Sequence, residues 1–145
     1  MVDFHSINWL AVLVAGIVAF MLGGVWYSPA LLGNAWMKEN KLTLEMVQGA
    51  NKGRLFGWYF LLSLVIATNL ALFLAPSPAA CPSGCAHTID LAGGALAGLL
   101  TGVWVFSFLA IIALFEQKTA RYIFINGGYC MLALTLMGAI IGAWR

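Results

Sequence analysis

The chain has 145 residues, 63% of them apolar and 8% charged, against about 25% charged in an ordinary soluble domain. So few ionic groups cannot cover a water-facing surface, and a net charge of +2 with dispersed basic residues excludes a nucleic-acid-binding stripe. The apolar residues gather into four blocks, about 7–27, 55–75, 91–115 and 122–144, each long enough for the ~20-residue helix that crosses a ~30 Å hydrocarbon layer.

The expected fold class is therefore all-α, a polytopic membrane bundle of four transmembrane helices in one domain over residues 1–145. The opening segment carries Asp3 and His5 but no Lys or Arg. It lacks the positive n-region of a cleaved signal peptide, so the first block is expected to stay as an anchor.

The first connection is patterned. Ser28-Pro29 has the form of a helix start, with Ser as N-cap and Pro at the first helical position. Leu31, Leu32, Ala35 and Trp36 then recur at helical spacing while Asn34, Lys38 and Glu39 face elsewhere. This predicts a short amphipathic helix over about 29–40, lying in the inner interface with Lys38 toward anionic lipid. A docking helix for a partner protein is the alternative. Thr43 reads as the cap of a second helical run with Glu45 in its first turn, expected to continue through Gly49, Gly53 and Gly57 into the second span.

Basic residues orient the bundle. Lys38, Lys41, Lys52 and Arg54 sit around the first connection and Lys118 and Arg121 at the third, whereas the second, 76–90, has none. The positive-inside bias puts connections one and three in the cytoplasm, with both termini on the outer face and Arg145 as the sole outer basic residue. Aromatic placement agrees: Trp26, Tyr27, Trp36, Trp58, Tyr59 and Tyr122 fall at inner ends, and Trp9 and Trp144 at outer ends.

The second connection holds the chain's densest chemistry. Cys81 and Cys85 bracket Pro-Ser-Gly on the oxidising side, which makes a structural disulfide the default reading. A redox-active pair is the alternative, yet the third thiol, Cys130, lies about 14 residues inward of Trp144, or ~21 Å along a helix. His5 and His87 are weak metal candidates beside these thiols. Their spacing matches no specific zinc motif, so no metal and no cofactor is assigned.

In the third block, Gly94, Gly98 and Gly102 recur every four residues, and the fourth block carries Gly138 and Gly142. Such rows allow close helix approach, either inside the bundle or between copies of the chain. Trp104 stands near the predicted midplane, where its indole N–H calls for a partner on another helix; a bulky packing residue is the default reading and a ligand contact the alternative. Polar side chains inside the spans include Asn69, Asn126, Tyr129 and Thr135. Asn69 and Asn126 are expected to bond between helices. The spans contain no carboxylate of the kind a small proton-coupled exporter needs at mid-membrane.

Two stretches carry a resemblance. The opening, with Ile7-Asn8-Trp9-Leu10-Ala11, Trp26-Tyr27-Ser28-Pro29 and Trp36-Met37-Lys38, is similar to that of a bacterial family of small four-span integral membrane proteins, known as a domain of unknown function. The closing stretch matches the same family through Phe115-Glu116, Phe124-Ile125-Asn126-Gly127-Gly128-Tyr129 and the run Met137-Gly138-Ala139-Ile140-Ile141-Gly142-Ala143-Trp144-Arg145. The resemblance implies a four-span bundle and no specific activity. Members often have His where this chain has Cys130, and Asn near the end of the third span, where residues 111–113 are apolar here. The Cys81–Cys85 loop is foreign to the family pattern, which favours a local bridge.

The shared motifs converge at the inner ends of the spans. Tyr27, Ser28, Trp36, Glu116, Arg121, Asn126 and Tyr129 are the candidates to line an inner-leaflet polar pocket, set against a default reading as a helix-end anchoring cluster. The functional expectation is a non-enzymatic structural or accessory component of the bacterial inner membrane. Its partners would be membrane lipids and either further copies of itself or a larger membrane complex, with no nucleic acid. A small-molecule transporter or channel is the second reading, and an outer-face thiol-redox protein the third.

Overall fold

The computed structural model describes residues 7–75 and 89–144. His5, Cys81, Cys85, His87 and Arg145 lie outside them, and so do the expected disulfide and the weak metal candidates. Among the described residues the chain forms six helices and no strand: α1 (Trp9–Trp26), α2 (Gly33–Glu39), α3 (Leu44–Gly49), α4 (Lys52–Leu74), α5 (Leu91–Phe115) and α6 (Ala120–Ala143). Four of these, α1, α4, α5 and α6, are long and apolar enough to cross a membrane, at ~27 to ~38 Å.

Each long helix starts on a side-chain cap. Asn8 accepts from the Leu10 and Ala11 N–H groups, Asn51 from Arg54, Asp90 from Gly93 and Thr119 from Tyr122. Two helices end on a non-glycine residue in the left-handed region. Lys41 after α2 and Gln117 after α5 both have φ 55°, and the next residue's N–H returns to a carbonyl five positions back. These are Schellman closures, which serve the last orphan carbonyls.

The first connection departs from expectation twice. The helix expected from Pro29 begins at Gly33, because residues 29–32 form a tight reverse turn. In it the Ser28 carbonyl accepts from the Leu31 and Gly33 N–H groups and the Trp26 carbonyl from Leu32. Gly33 is pressed against that turn: a Cβ there would come within 2.3 Å of the Tyr27 carbonyl oxygen. Thr43 does cap α3, accepting from Met46. The run does not continue into the second span, however. Ala50 is extended (φ −66°, ψ 144°) and Asn51 caps α4 afresh.

Three packing contacts build the bundle. α5 lies along α6 for most of its length, while α6 and α4 both pack on α1. Small residues set these approaches. Ala15 and Ala19 of α1 and Ala67 and Ala71 of α4 are almost fully buried, and Leu70, Leu134, Met137 and Ile141 fill the space around them. The glycine row of α5 faces α6 within the same chain: a Cβ on Gly94 would stand 2.1 Å from the Gly138 carbonyl oxygen, and one on Gly98 2.1 Å from that of Leu134. Asn8 closes the far end by donating to the Trp144 carbonyl at 2.8 Å. The fourth seam, α4 against α5, is barely closed.

Candidate functional site

The end of the bundle that carries the α1–α4 and α5–α6 connections is held by a polar aromatic network. The Trp26 indole donates to the Ile125 carbonyl at 2.9 Å, and the Tyr27 hydroxyl donates to Asn126 Oδ1 at 3.0 Å. Asn126 turns its amide back to the Tyr122 carbonyl at 2.9 Å. The Tyr27 ring lies 5.6 Å from Trp36 and 5.5 Å from Tyr129, centroid to centroid, within aromatic contact. Four of the expected pocket residues, Tyr27, Trp36, Asn126 and Tyr129, are thus brought together. Ser28 serves the group through its carbonyl in the turn.

Glu116 and Arg121 are not part of it. Both are exposed, Glu116 at the end of α5 and Arg121 in the first turn of α6, and among the described residues no hydrogen bond or ring contact ties either to the group. A different pair links the two connections: the Thr119 hydroxyl donates to Glu39 Oε2, tying α2 to the first turn of α6. Lys118 Nζ stands 5.5 Å from the centre of the Tyr122 ring.

Tyr59, expected at the headgroup level, points inward instead. Its hydroxyl donates to the Ala19 carbonyl at 2.9 Å and lies 2.6 Å from the Tyr129 hydroxyl. With the Tyr59 proton on the Ala19 carbonyl, Tyr129 donates to Tyr59, and its hydroxyl also lies 3.4 Å from the same carbonyl oxygen. The relay joins α4, α1 and α6 about two turns inside the bundle. Gly23 makes room for it, since a Cβ there would stand 2.0 Å from the Tyr59 oxygen. The sequence signal for this role was the glycine itself, a notch on α1 with a large aromatic on the helix that follows.

The second feature is a cleft of about 490 Å³ between α4 and α5, floored by α6. Asn69 and Phe73 stand on one wall, Thr101 and Trp104 on the other, and Tyr129 and Cys130 on the floor. It opens sideways, where a membrane protein meets lipid: Phe73 is 67% exposed and Trp104 61%. Cys130 is a half-buried free thiol.

Most polar side chains of the spans bond to carbonyls four residues back on their own helix. Ser63, Thr68, Thr101, Ser107 and Thr135 do so at 2.7–2.9 Å, as hydroxyls do where water is scarce. Asn69 joins them. It was expected to bridge helices, yet its amide donates to the Val65 carbonyl at 2.9 Å and the side chain faces the cleft. Asn126 does bridge helices, by accepting from Tyr27. Trp104, expected to donate to another helix, meets no acceptor among the described residues; its ring faces the cleft.

The two features differ in what they can do. In the network, hydroxyls and amides are already bonded to one another, so it locks helices. The cleft is apolar with a few polar atoms on facing walls, the ordinary composition of a site for a lipophilic molecule.

No curated protein and no solved structure matches this chain. One family model does, over residues 10–142, and the chain belongs to that family, described as Protein of unknown function (DUF1761).

Proposed function

We propose that the chain is a non-enzymatic accessory component of the bacterial inner membrane that works by binding in the plane of the bilayer. The observation that carries this reading is the open α4/α5 seam. Three of the four neighbouring helix pairs are closed by small residues or interhelical hydrogen bonds, and the fourth is left as a 490 Å³ cleft. The hydrogen-bonded network, whose Tyr59 and Tyr129 border the cleft, supports the same reading, because it holds α1, α4 and α6 in place and leaves the seam to accept an occupant. Six basic residues around the α1–α4 and α5–α6 connections favour placing that end in the cytoplasm, with both termini outside.

The test is native mass spectrometry of the protein released from its own membranes in mild detergent. A stoichiometric added mass, whether of a small molecule, a second copy or another subunit, is the expected result. A bare monomer would overturn the reading. Transport is distinguished by uptake into liposomes: a flux abolished by Asn69→Leu would replace the accessory reading with a transporter.

A further inference from the structure

Trp104 is the anomalous residue of the cleft. It lies 13 residues from Leu91 and 11 from Phe115, so ~20 Å and ~16 Å from the two ends of α5. Trp9, Trp26, Trp58 and Trp144 all lie near helix ends, where water or headgroups are within reach. At mid-span there is neither, and an indole N–H left without an acceptor in hydrocarbon is strongly disfavoured. On the facing wall, Asn69 Oδ1 also accepts from no donor among the described residues. The hydroxyl groups around them are bonded within the chain.

Chemistry and size separate the possible occupants. A partner span brings no free backbone acceptor to mid-membrane, because its carbonyls are bonded within its own helix. A cleft of about 490 Å³ lies in the range of small-molecule sites. Depth separates them further. The ester carbonyls of a phospholipid stay with the headgroup at the edge of the ~30 Å core, more than 10 Å from Trp104.

We propose that the α4/α5 cleft binds one neutral, lipid-soluble carbonyl compound, whose carbonyl oxygen accepts the Trp104 indole N–H while its apolar tail lies between the walls. The proposal rests on the reading that the chain binds in the membrane plane, and adds the chemical class of the occupant. No bond is made or broken in the ligand.

The experiment uses the full chain in nanodiscs of saturated phosphatidylcholine and a radiolabelled short-chain prenylated benzoquinone as the probe. Retention is corrected for partition into empty discs. Saturable binding at one per chain is expected, weakened ~3- to ~10-fold by Trp104→Phe, which keeps the ring and removes the donor. A prenylated benzene without carbonyls should bind the native chain as weakly as the quinone binds that variant. Ile66→Trp, which fills the cleft from α4, should abolish binding of both. Equal binding of quinone and carbonyl-free analogue, or native-like binding by Trp104→Phe, would overturn the proposal. Crosslinking of the cleft walls to another polypeptide in native membranes would also overturn it while leaving the in-plane binding reading standing. Recovery of a bare monomer would remove both.

Discussion

Replacing Gly98 by alanine adds one methyl group at one of the two closest approaches of α5 to α6. That methyl would stand 2.1 Å from the Leu134 carbonyl oxygen and 2.8 Å from its carbon, both backbone atoms that no rotamer change can move aside. Ordinary contact begins near 3.4 Å, so α5 and α6 must part locally by 3.4 − 2.1, or ~1.3 Å. A gap of that size forfeits much of the dispersion between the facing backbones, and Gly94 and Gly102 share the same seam. The cost is ~2–3 kcal/mol, the upper part of the ~1–3 kcal/mol range for overpacking because the clash is with backbone, or about a 30- to 140-fold fall in the folded ratio. Gly57→Ala is the control, because a Cβ at Gly57 meets nothing within 4 Å. Reversible unfolding in mixed detergent micelles, followed by far-UV circular dichroism, should show Gly98→Ala destabilised and Gly57→Ala unchanged or slightly improved. Equal behaviour of the two would refute the view that the glycine row is the α5–α6 interface.

Further outcomes follow from the network and the helix ends. Tyr59→Phe removes the Tyr59–Ala19 and Tyr59–Tyr129 bonds, leaving only the longer 3.4 Å approach of Tyr129 to Ala19, and should cost ~1–2 kcal/mol in the same assay, while Tyr129→Phe, which leaves the shorter Tyr59–Ala19 bond intact, should cost less. A double-mutant cycle of Tyr27→Phe with Asn126→Ala should give a coupling of ~0.6–1.7 kcal/mol, the span found for hydrogen bonds between membrane helices; zero coupling would mean the pair does not form in lipid. Gln117→Gly should stabilise the α5–α6 hairpin by up to ~1 kcal/mol, since it relieves a non-glycine residue at φ 55°, and a loss of stability would contradict that closure.

The parts of this fold that were legible in the sequence are those set by local composition. The spans are long apolar runs, and their ends fall within about three residues of the helices α1, α4, α5 and α6. Thr43 announced α3 because a cap needs only its own next turn. Pro29 misled because a proline suits a turn as well as a first helical position, and the close packing of Gly33 on the Tyr27 and Ser28 carbonyls decided between them. The break at Ala50 was hidden by the helical spacing on either side, although Asn51 is a competent cap.

The site was legible in pieces. Tyr27, Trp36, Asn126 and Tyr129 lie together because the first two flank the end of α1 and the other two face it from the first three turns of α6. Tyr59 was misplaced, since an aromatic near a span end suits the headgroup level equally well; the notch at Gly23 is what draws it inward. The cleft had no local signature. It exists because α5 is held against α6 by glycines and α4 against α1 by alanines, leaving α4 and α5 apart, a relation among four helices that no window of sequence contains.

Disulfide crosslinking in native membranes, in a background with Cys81, Cys85 and Cys130 changed to serine, tests the open seam most directly. Gly16→Cys with Leu64→Cys should bridge on mild oxidation, because a Cβ at Gly16 lies 3.6 Å from the Leu64 Cα across the closed α1–α4 contact. Ile66→Cys with Thr101→Cys, on the two walls of the cleft, should stay reduced under the same conditions. If the Ile66–Thr101 pair bridges as fast as the Gly16–Leu64 pair, α4 and α5 are in contact and the seam is closed.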